Sequence, residues 1–118
     1  MKLCLIRFDK IKGRGVYASE PIRRGELIEI CELILVPLQD NTFSLSRYCF
    51  EFDNNHVAIA LGNGCLYNHS DLPNATCYFH EDGQRLVFEA RKTIAQGEEI
   101  LINYGYSEKL KNKFQIVS

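Results

Sequence analysis

The octapeptide Tyr67-Asn68-His69-Ser70-Asp71-Leu72-Pro73-Asn74 concentrates short polar residues in a chain that is otherwise rich in strand-forming ones. Such side chains bond to nearby backbone and favour turns over helix or sheet. Pro73 fixes its own φ and pushes Leu72 toward an extended conformation. A surface turn is the simplest interpretation. The run Gly62–Leu66, which brings glycines and apolar residues straight into this stretch, instead predicts that Asn68–Pro73 is packed inside the domain.

Length and composition predict one small soluble domain. The 118 residues are 46% hydrophobic and 25% charged, a profile typical of globular proteins. No apolar run approaches the roughly 20 residues that a membrane span needs, and Met1–Ile6 is too short for a signal peptide. The net charge of -1 and the scattered basic residues argue against nucleic-acid binding. We therefore expect an intracellular protein, cytoplasmic or, if secreted or viral, nuclear in a host.

Five cysteines are spread along the chain without a C-x-x-C pair. Their odd number and wide spacing predict free thiols in a reducing compartment, with no disulfide and no structural zinc or other metal. The two matches to the glycosylation pattern, Asn68–Ser70 and Asn74–Thr76, carry no weight in an intracellular protein.

Short runs of branched and aromatic residues, separated by Gly, Asn and Asp turns, predict a mostly β fold. Mainly antiparallel pairing is expected, because no segment is long and helically periodic enough for parallel crossovers. Glu29 and Glu32 are expected to face water, and Ser107–Phe114 is the best helix candidate, with Ser107 as N-cap. Strands are predicted at Leu3–Ile6, Val16–Ala18, Arg47–Phe52, His56–Leu61, Thr76–His80 and Arg85–Ala90, and Leu27–Val36 has enough branched residues for a pair of strands.

Three segments together resemble the SET domain of protein lysine methyltransferases. Lys12–Ala18 resembles the early Gly-x-Gly segment, Tyr67–Asn74 the Asn-His-Ser-x-x-Pro-Asn signature, and Gly97–Gly105 the closing Gly-Glu-Glu-Leu-x-x-Asp-Tyr segment. The resemblance implies one SET domain over residues 1–118, with 107–118 as a short C-terminal tail. It also implies small, mainly antiparallel sheets, one or two short helices and a C-terminal pseudoknot that joins the second and third segments. The length suggests the minimal stand-alone SET proteins of bacteria and large viruses.

The resemblance further implies a cofactor site for S-adenosylmethionine. The methionyl part would lie against the backbone of the Gly-x-Gly segment, the adenine and ribose side against the Asn-His pair, and two tyrosines would border the methyl-transfer channel. The residues implied are Lys12, Gly13, Arg14, Gly15, Val16, Asn68, His69, Tyr48 and Tyr104.

Tyr104 is the implied catalytic residue. Methyl transfer to an amine is an in-line displacement, so positioning and electrostatics carry most of the catalysis. The substrate lysine must arrive neutral although its reference pKa is about 10.4. A dry channel and a nearby sulfonium both disfavour the ammonium form. With its own reference pKa of about 10, a tyrosine is a poor base, so the Tyr104 hydroxyl is expected to orient the amine.

Two departures from the family pattern keep other functions open. Asn103 stands where the family usually has Asp, and Glu89 lies where many histone-directed members have a channel-lining aromatic. The chain could therefore be a catalytically weak SET-fold module that binds cofactor or peptide, or a structural β domain without a ligand site. As an enzyme it would act on a protein that presents a lysine, such as a histone or another basic tail. Neither nucleic acid nor membrane is expected as a partner, and a homodimer stays open.

Overall fold

The computed structural model describes residues 2, 4–11, 13–40 and 49–103. The secondary structure of this part is almost entirely β, as predicted, with one short 3₁₀ helix at Leu38–Asp40. Its strands are β1 (Cys4–Asp9), β2 (Gly13–Ala18), β3 (Leu27–Pro37), β4 (Phe50–Glu51), β5 (His56–Ala60), β6 (Asn68–His69), β7 (Ala75–Phe79), β8 (Arg85–Ala90) and β9 (Leu101–Ile102).

Five strands form the main sheet in the order β4-β5-β3-β8-β7, and every neighbouring pair in it is antiparallel. Both predicted hairpins are present. Asp53–Asn55 connects β4 to β5, and Glu81–Gln84 connects β7 to β8. Asp53 and Asp82 each accept a hydrogen bond from the backbone two residues on, which is the turn chemistry expected of Asp. The apolar run after Leu27 is a single eleven-residue strand at the centre of this sheet.

A separate hairpin, β1–β2, joins the shared hydrophobic core through residues of β2. Val16 and Ala18 are buried on its inner face, while Phe8 near its tip is 74% exposed. Gly13 follows the turn with φ of +82°, a left-handed conformation that favours glycine.

The expectation that Glu29 faces water is wrong, although Glu32 is exposed as predicted. Residues 29 and 32 are an odd number apart, so a regular strand places their side chains on opposite faces. Glu29 pairs across the sheet with Phe88, and its carboxylate accepts a hydrogen bond from the hydroxyl of Tyr67, 2.6 Å away. The register of β3 against β8 also shifts between Leu27 and Glu29, where Ile28 is fully buried.

The core lies between the main sheet, the β1–β2 hairpin and the segments that follow β5 and β8. All five cysteines are free thiols, and burial raises the pKa of the Cys31 thiol. Within the described residues, no helix is long and apolar enough to cross a membrane. The predicted helix Ser107–Phe114 and the tail 107–118 lie outside the described residues. The largest fully buried side chains are Ile22, Ile28, Tyr67, Leu86, Phe88, Ile94, Ile100 and Ile102.

Candidate functional site

Two short strands that are far apart in sequence, β6 and β9, pair in parallel and bring the polar octapeptide against the closing segment. Asn68 is opposite Leu101 and His69 is opposite Ile102. On its other side the closing segment bonds to β2, since the Ile100 amide donates to the Val16 carbonyl at 2.8 Å. The closing segment therefore lies between β2 and the octapeptide; we call this meeting of residues 67–74 with 97–103, which the resemblance implies, the crossing.

Asn74 holds this crossing together from within. It is 3% exposed, and its side chain uses both ends of the amide. Nδ2 donates to the Glu99 carbonyl at 2.8 Å and to Glu98 Oε2 at 3.2 Å, while Oδ1 accepts from the Leu101 amide at 2.8 Å. A buried side-chain amide with its groups satisfied fixes two chain segments relative to each other.

The prediction that Asn68–Pro73 is packed inside the domain is only partly right. Pro73 is buried, but His69 and Asp71 are exposed and Leu72 is 83% exposed. The segment is held by its backbone rather than by burial of its side chains: the Ser70 amide donates to the Ile102 carbonyl at 2.9 Å. The Ser70 hydroxyl in turn accepts from the Leu72 amide and shapes a local turn.

The Gly-x-Gly segment borders the crossing along β2. Val16 is fully buried, and its carbonyl already accepts from Ile100, so its side chain belongs to the core. A Cβ at Gly15 would lie 2.5 Å from Glu99 Oε2 and 3.0 Å from Asn68 Nδ2, so a side chain there would have to displace the ends of these two side chains. At Gly13, by contrast, no atom of the described residues beyond its chain neighbours lies within 4 Å of a Cβ position. The two glycines thus have different roles. Gly15 lets the side chains of Glu99 and Asn68 lie close to the backbone, whereas Gly13 adopts a positive φ.

Asn68 joins the segments of the candidate site at one point. Its Nδ2 donates to the Arg14 carbonyl at 3.0 Å and to Glu99 Oε2 at 2.7 Å. Asn68 is half-buried and comes from β6, Arg14 from β2, and Glu99 from the closing segment. The structure therefore brings together Gly13, Arg14, Gly15, Val16 and Asn68 from the predicted site.

His69 lies at the same crossing but its side chain points to the surface. The ring Nε2 is 3.0 Å from Asp71 Oδ1, and the side chain is 39% exposed. Its backbone pairs with Ile102 in β9. Any contact of His69 with a ligand at the Asn68 amide would therefore come from its backbone more readily than from its ring.

Tyr67, which directly precedes Asn68 in the chain, is held firmly in the core. Its ring is 1% exposed and stacks on Phe88 with centroids 4.3 Å apart and planes 21° apart. Its hydroxyl donates to Glu29, whose other oxygen accepts from the Asn63 amide at 3.0 Å. Burial and the neighbouring Glu29 carboxylate raise the pKa of the Tyr67 hydroxyl, so it remains a donor. These contacts fix the chain immediately before the site.

Three predicted site residues, Lys12, Tyr48 and Tyr104, lie outside the described residues. Conversely, two residues that organise the site, Asn74 and Glu99, were not assigned roles from the sequence, although both stand inside segments that carry the resemblance. Within the described part of the chain, no group of three or more His, Cys, Asp or Glu side chains is arranged to hold a metal ion.

Comparison with known sequences agrees with this geometry. The family model described as the SET domain matches residues 13–105. The fission yeast Schizosaccharomyces pombe enzyme named histone-lysine N-methyltransferase, H3 lysine-37 specific, is 30% identical over 107 residues, which cover 85% of this chain and 71% of the relative. The Caenorhabditis elegans histone-lysine N-methyltransferase set-1 is 31% identical over 116 residues. That match covers 82% of this chain, which spans only 48% of set-1.

Solved structures show the same fold. A candidate histone methyltransferase from Plasmodium falciparum superposes with a TM-score of 0.80 and 34% identity, covering 92% of this chain and 98% of that one. The Neurospora SET-domain protein DIM-5, a histone lysine methyltransferase, superposes with a TM-score of 0.70 over 88% of this chain. At 20% identity the likeness to DIM-5 shows the fold alone.

Proposed function

The chain belongs to the SET-domain family of protein lysine methyltransferases, and on that premise we propose that it transfers a methyl group from S-adenosylmethionine to the side-chain amine of a lysine in a protein substrate. The observation that carries the proposal is the meeting of three distant segments at the Asn68 amide, which contacts both Arg14 and Glu99. These are the segments whose motifs carry the family resemblance.

The described residues fit S-adenosylmethionine. Both hydrogens of the Asn68 amide are used by the protein, so its Oδ1 is the atom left to accept a bond from a ligand. Among the described residues no atom crowds the side of Gly13, which supports the approach of a ligand to the backbone of β2. When bound, the cofactor would supply a methyl group on a positively charged sulfur. In this proposal the backbone of residues 12–16, together with Asn68 and His69, holds the cofactor, while Tyr48 and Tyr104 border the channel.

Tyr104 is proposed to orient the lysine amine toward the methyl group. In sequence it is the second residue after β9, the strand that pairs with the strand of Asn68. A hydroxyl that accepts or donates a single bond can align the amine without acting as a base.

A basic substrate segment is the proposed partner, because acidic residues gather where the two edges of the main sheet meet. The rings of Phe52, just after β4, and Phe79, at the end of β7, make an edge-to-face contact with centroids 5.2 Å apart. This contact brings together the turns that carry Asp53 and Glu81; the third acidic residue there, Asp82, is already paired with Arg85. Histones are the substrates named for the relatives, and we propose them as the first proteins to test.

The test is methyl transfer from labelled S-adenosylmethionine to core histones and to a cell lysate, with wild type and Tyr104→Phe side by side. The variant keeps the ring and loses one hydroxyl, so we expect at least a tenfold lower rate with nearly unchanged cofactor affinity. Loss of one donor in a dry site typically costs about 2.7–4 kcal/mol of transition-state stabilisation. Equal rates for the two proteins would show that Tyr104 has no such role. A wild type that binds the cofactor but labels no protein would support the binding-module alternative.

A further inference from the structure

The orientation of the Asn68 side chain is fixed by its two acceptors. A primary amide has two N–H donors, and both are used, one by the Arg14 carbonyl at 3.0 Å and one by Glu99 Oε2 at 2.7 Å. Rotating the amide by half a turn would set Oδ1 against two oxygen acceptors, which is electrostatically unfavourable. Within the part of the chain that the structure describes, Oδ1 receives no hydrogen bond. The arrangement therefore offers an acceptor, and not a donor, to whatever binds there.

The position of the Glu99 carboxylate beside Asn68 is fixed by the backbone on both sides of it. The backbone of Glu99 forms an antiparallel bridge with Tyr17 on β2, which fixes its starting point. The end of its side chain lies where a side chain at Gly15 would otherwise be, 2.5 Å from that Cβ position. The absence of a side chain at Gly15 thus makes room for the carboxylate beside Asn68.

We propose that Glu99 is a positioning residue that holds the Asn68 amide with its oxygen toward the ligand and makes this point selective for a positively charged amine. If the proposed function is right, the amine is the α-ammonium group of S-adenosylmethionine. The negative charge of Glu99 favours a cationic donor over a neutral one such as the adenine amine or a ribose hydroxyl. The contact with the Arg14 carbonyl also places Asn68 beside the segment proposed to face the methionyl part of the cofactor. In this respect the inference departs from the resemblance, which puts Asn68 on the adenine and ribose side.

Two ligands separate this role from a purely structural one. S-adenosylhomocysteine carries the α-ammonium group, whereas 5′-methylthioadenosine has the same adenosine and thioether but no amino-acid part. The variant Glu99→Gln keeps the size of the side chain and an oxygen that can accept from Asn68, but removes the charge. We expect calorimetric titration to show S-adenosylhomocysteine binding weakened about tenfold, since a charge-assisted bond is roughly twice as strong as a neutral one. Binding of 5′-methylthioadenosine should change less than twofold.

The matched control is Glu98→Gln. Glu98 is the adjacent carboxylate, but its oxygens face the Ala95 amide and Asn74 rather than Asn68. Its substitution should leave the affinity ratio of the two ligands at the wild-type value. In addition, Glu99→Gln should weaken S-adenosylhomocysteine binding less in an Asn68→Ala background than in wild type, because the part of its effect that acts through Asn68 is already lost.

The outcomes distinguish the inference from the proposed function. Equal weakening of both ligands by Glu99→Gln, or full additivity with Asn68→Ala, would overturn the positioning role while leaving the cofactor assignment intact. A wild type that binds neither ligand would overturn the ligand part of the inference together with the proposed function. The amide geometry has its own readout in the ligand-free protein. The two Asn68 side-chain protons should give well-separated NMR resonances with slow solvent exchange, and Glu99→Ala should accelerate that exchange. Fast exchange in the wild type would contradict the positioning role directly.

Discussion

Removing the side-chain amide of Asn74 should loosen the crossing on which the whole site depends. In Asn74→Ala, the Glu99 carbonyl and the Leu101 amide each lose a partner at 2.8 Å, and Glu98 loses a weaker one at 3.2 Å. Each neutral bond contributes a net of about 0.5–1.5 kcal/mol, and a partner left buried without a bond costs about 1–3 kcal/mol. Because Glu98 is exposed and can turn to water, most of the loss falls on the two backbone groups. The free energy of unfolding should therefore fall by about 3 kcal/mol.

The assay is urea unfolding of wild type and Asn74→Ala, with Asn54→Ala as control. Asn54 is an exposed asparagine in the β4–β5 turn, so its replacement removes the same group without opening the crossing. For a domain of this size, a loss of about 3 kcal/mol corresponds to roughly 12 °C in the melting temperature. If Asn74→Ala were within about 1 kcal/mol of the control, the side-chain bonds of Asn74 would not be what holds the segments, and the reasoning would fail.

A second variant, Asn74→Asp, removes the N–H donors of the Asn74 side chain without removing its volume. Asn74→Asp keeps the shape but sets an oxygen against the Glu99 carbonyl and the Glu98 carboxylate. The folded protein then disfavours the ionised form, so the pKa of Asp at this position is raised above its unfolded value of about 3.9. A raised carboxyl pKa means that stability is lost as the pH rises through that range. Asn74→Asp should therefore be closest to wild type near pH 3 and least stable at neutral pH.

Three further predictions concern groups around the site. Tyr67→Phe removes the hydroxyl that donates to the Glu29 carboxylate, so urea unfolding should show a loss of about 1.5–3 kcal/mol, and unchanged stability would mean that water replaces the bond. The pKa of Asp82 is held at about 2 by the Gln84 amide and then by Arg85. Its stabilisation is fully present above about pH 4 and is lost as the pH falls through about 2, so the stability deficit of Asp82→Asn at pH 7 should shrink below pH 4 and vanish only below pH 2. Gly13→Ala, at φ of +82°, should cost about 1–2 kcal/mol in the same unfolding assay, and Gly13→Asn less.

The two hairpins were predictable from the sequence because the residues that specify each turn and its strands are neighbours in the chain. Asp53–Asn55 and Glu81–Gln84 carry turn chemistry within a few residues, and the strands on either side follow from branched and aromatic runs. The β6–β9 pairing has no such signal. Each partner is two residues long, the pairing is parallel, and the strands are more than 30 residues apart. The family resemblance, and not periodicity, led to that part of the fold.

The inward position of Glu29 shows why side-chain roles are harder to derive than strands. A glutamate in a strand normally faces water, because burying a charge without partners is costly. Here Tyr67, 38 residues away, supplies a hydroxyl, and the Asn63 amide supplies a second donor. Asn63 lies in the turn that leads into the octapeptide and Tyr67 is the first residue of the octapeptide, so both bonds exist only once the tertiary structure has formed. No window of sequence around Glu29 contains that information.

The pair Glu98-Glu99 extends the same argument to function. The two residues are identical and adjacent, yet successive side chains of an extended segment point to opposite sides. Glu98 therefore faces Asn74 inside the crossing, while Glu99 faces Asn68 at the candidate ligand site. Asn74 also bonds to the Glu99 carbonyl, while the Glu99 side chain bonds to Asn68. Glu99 therefore links Asn74, which stabilises the crossing, to Asn68, which presents an acceptor to the ligand. A ligand that binds at Asn68 should therefore protect the Asn74 side-chain amide from exchange, because binding to the folded state stabilises every contact that the site requires.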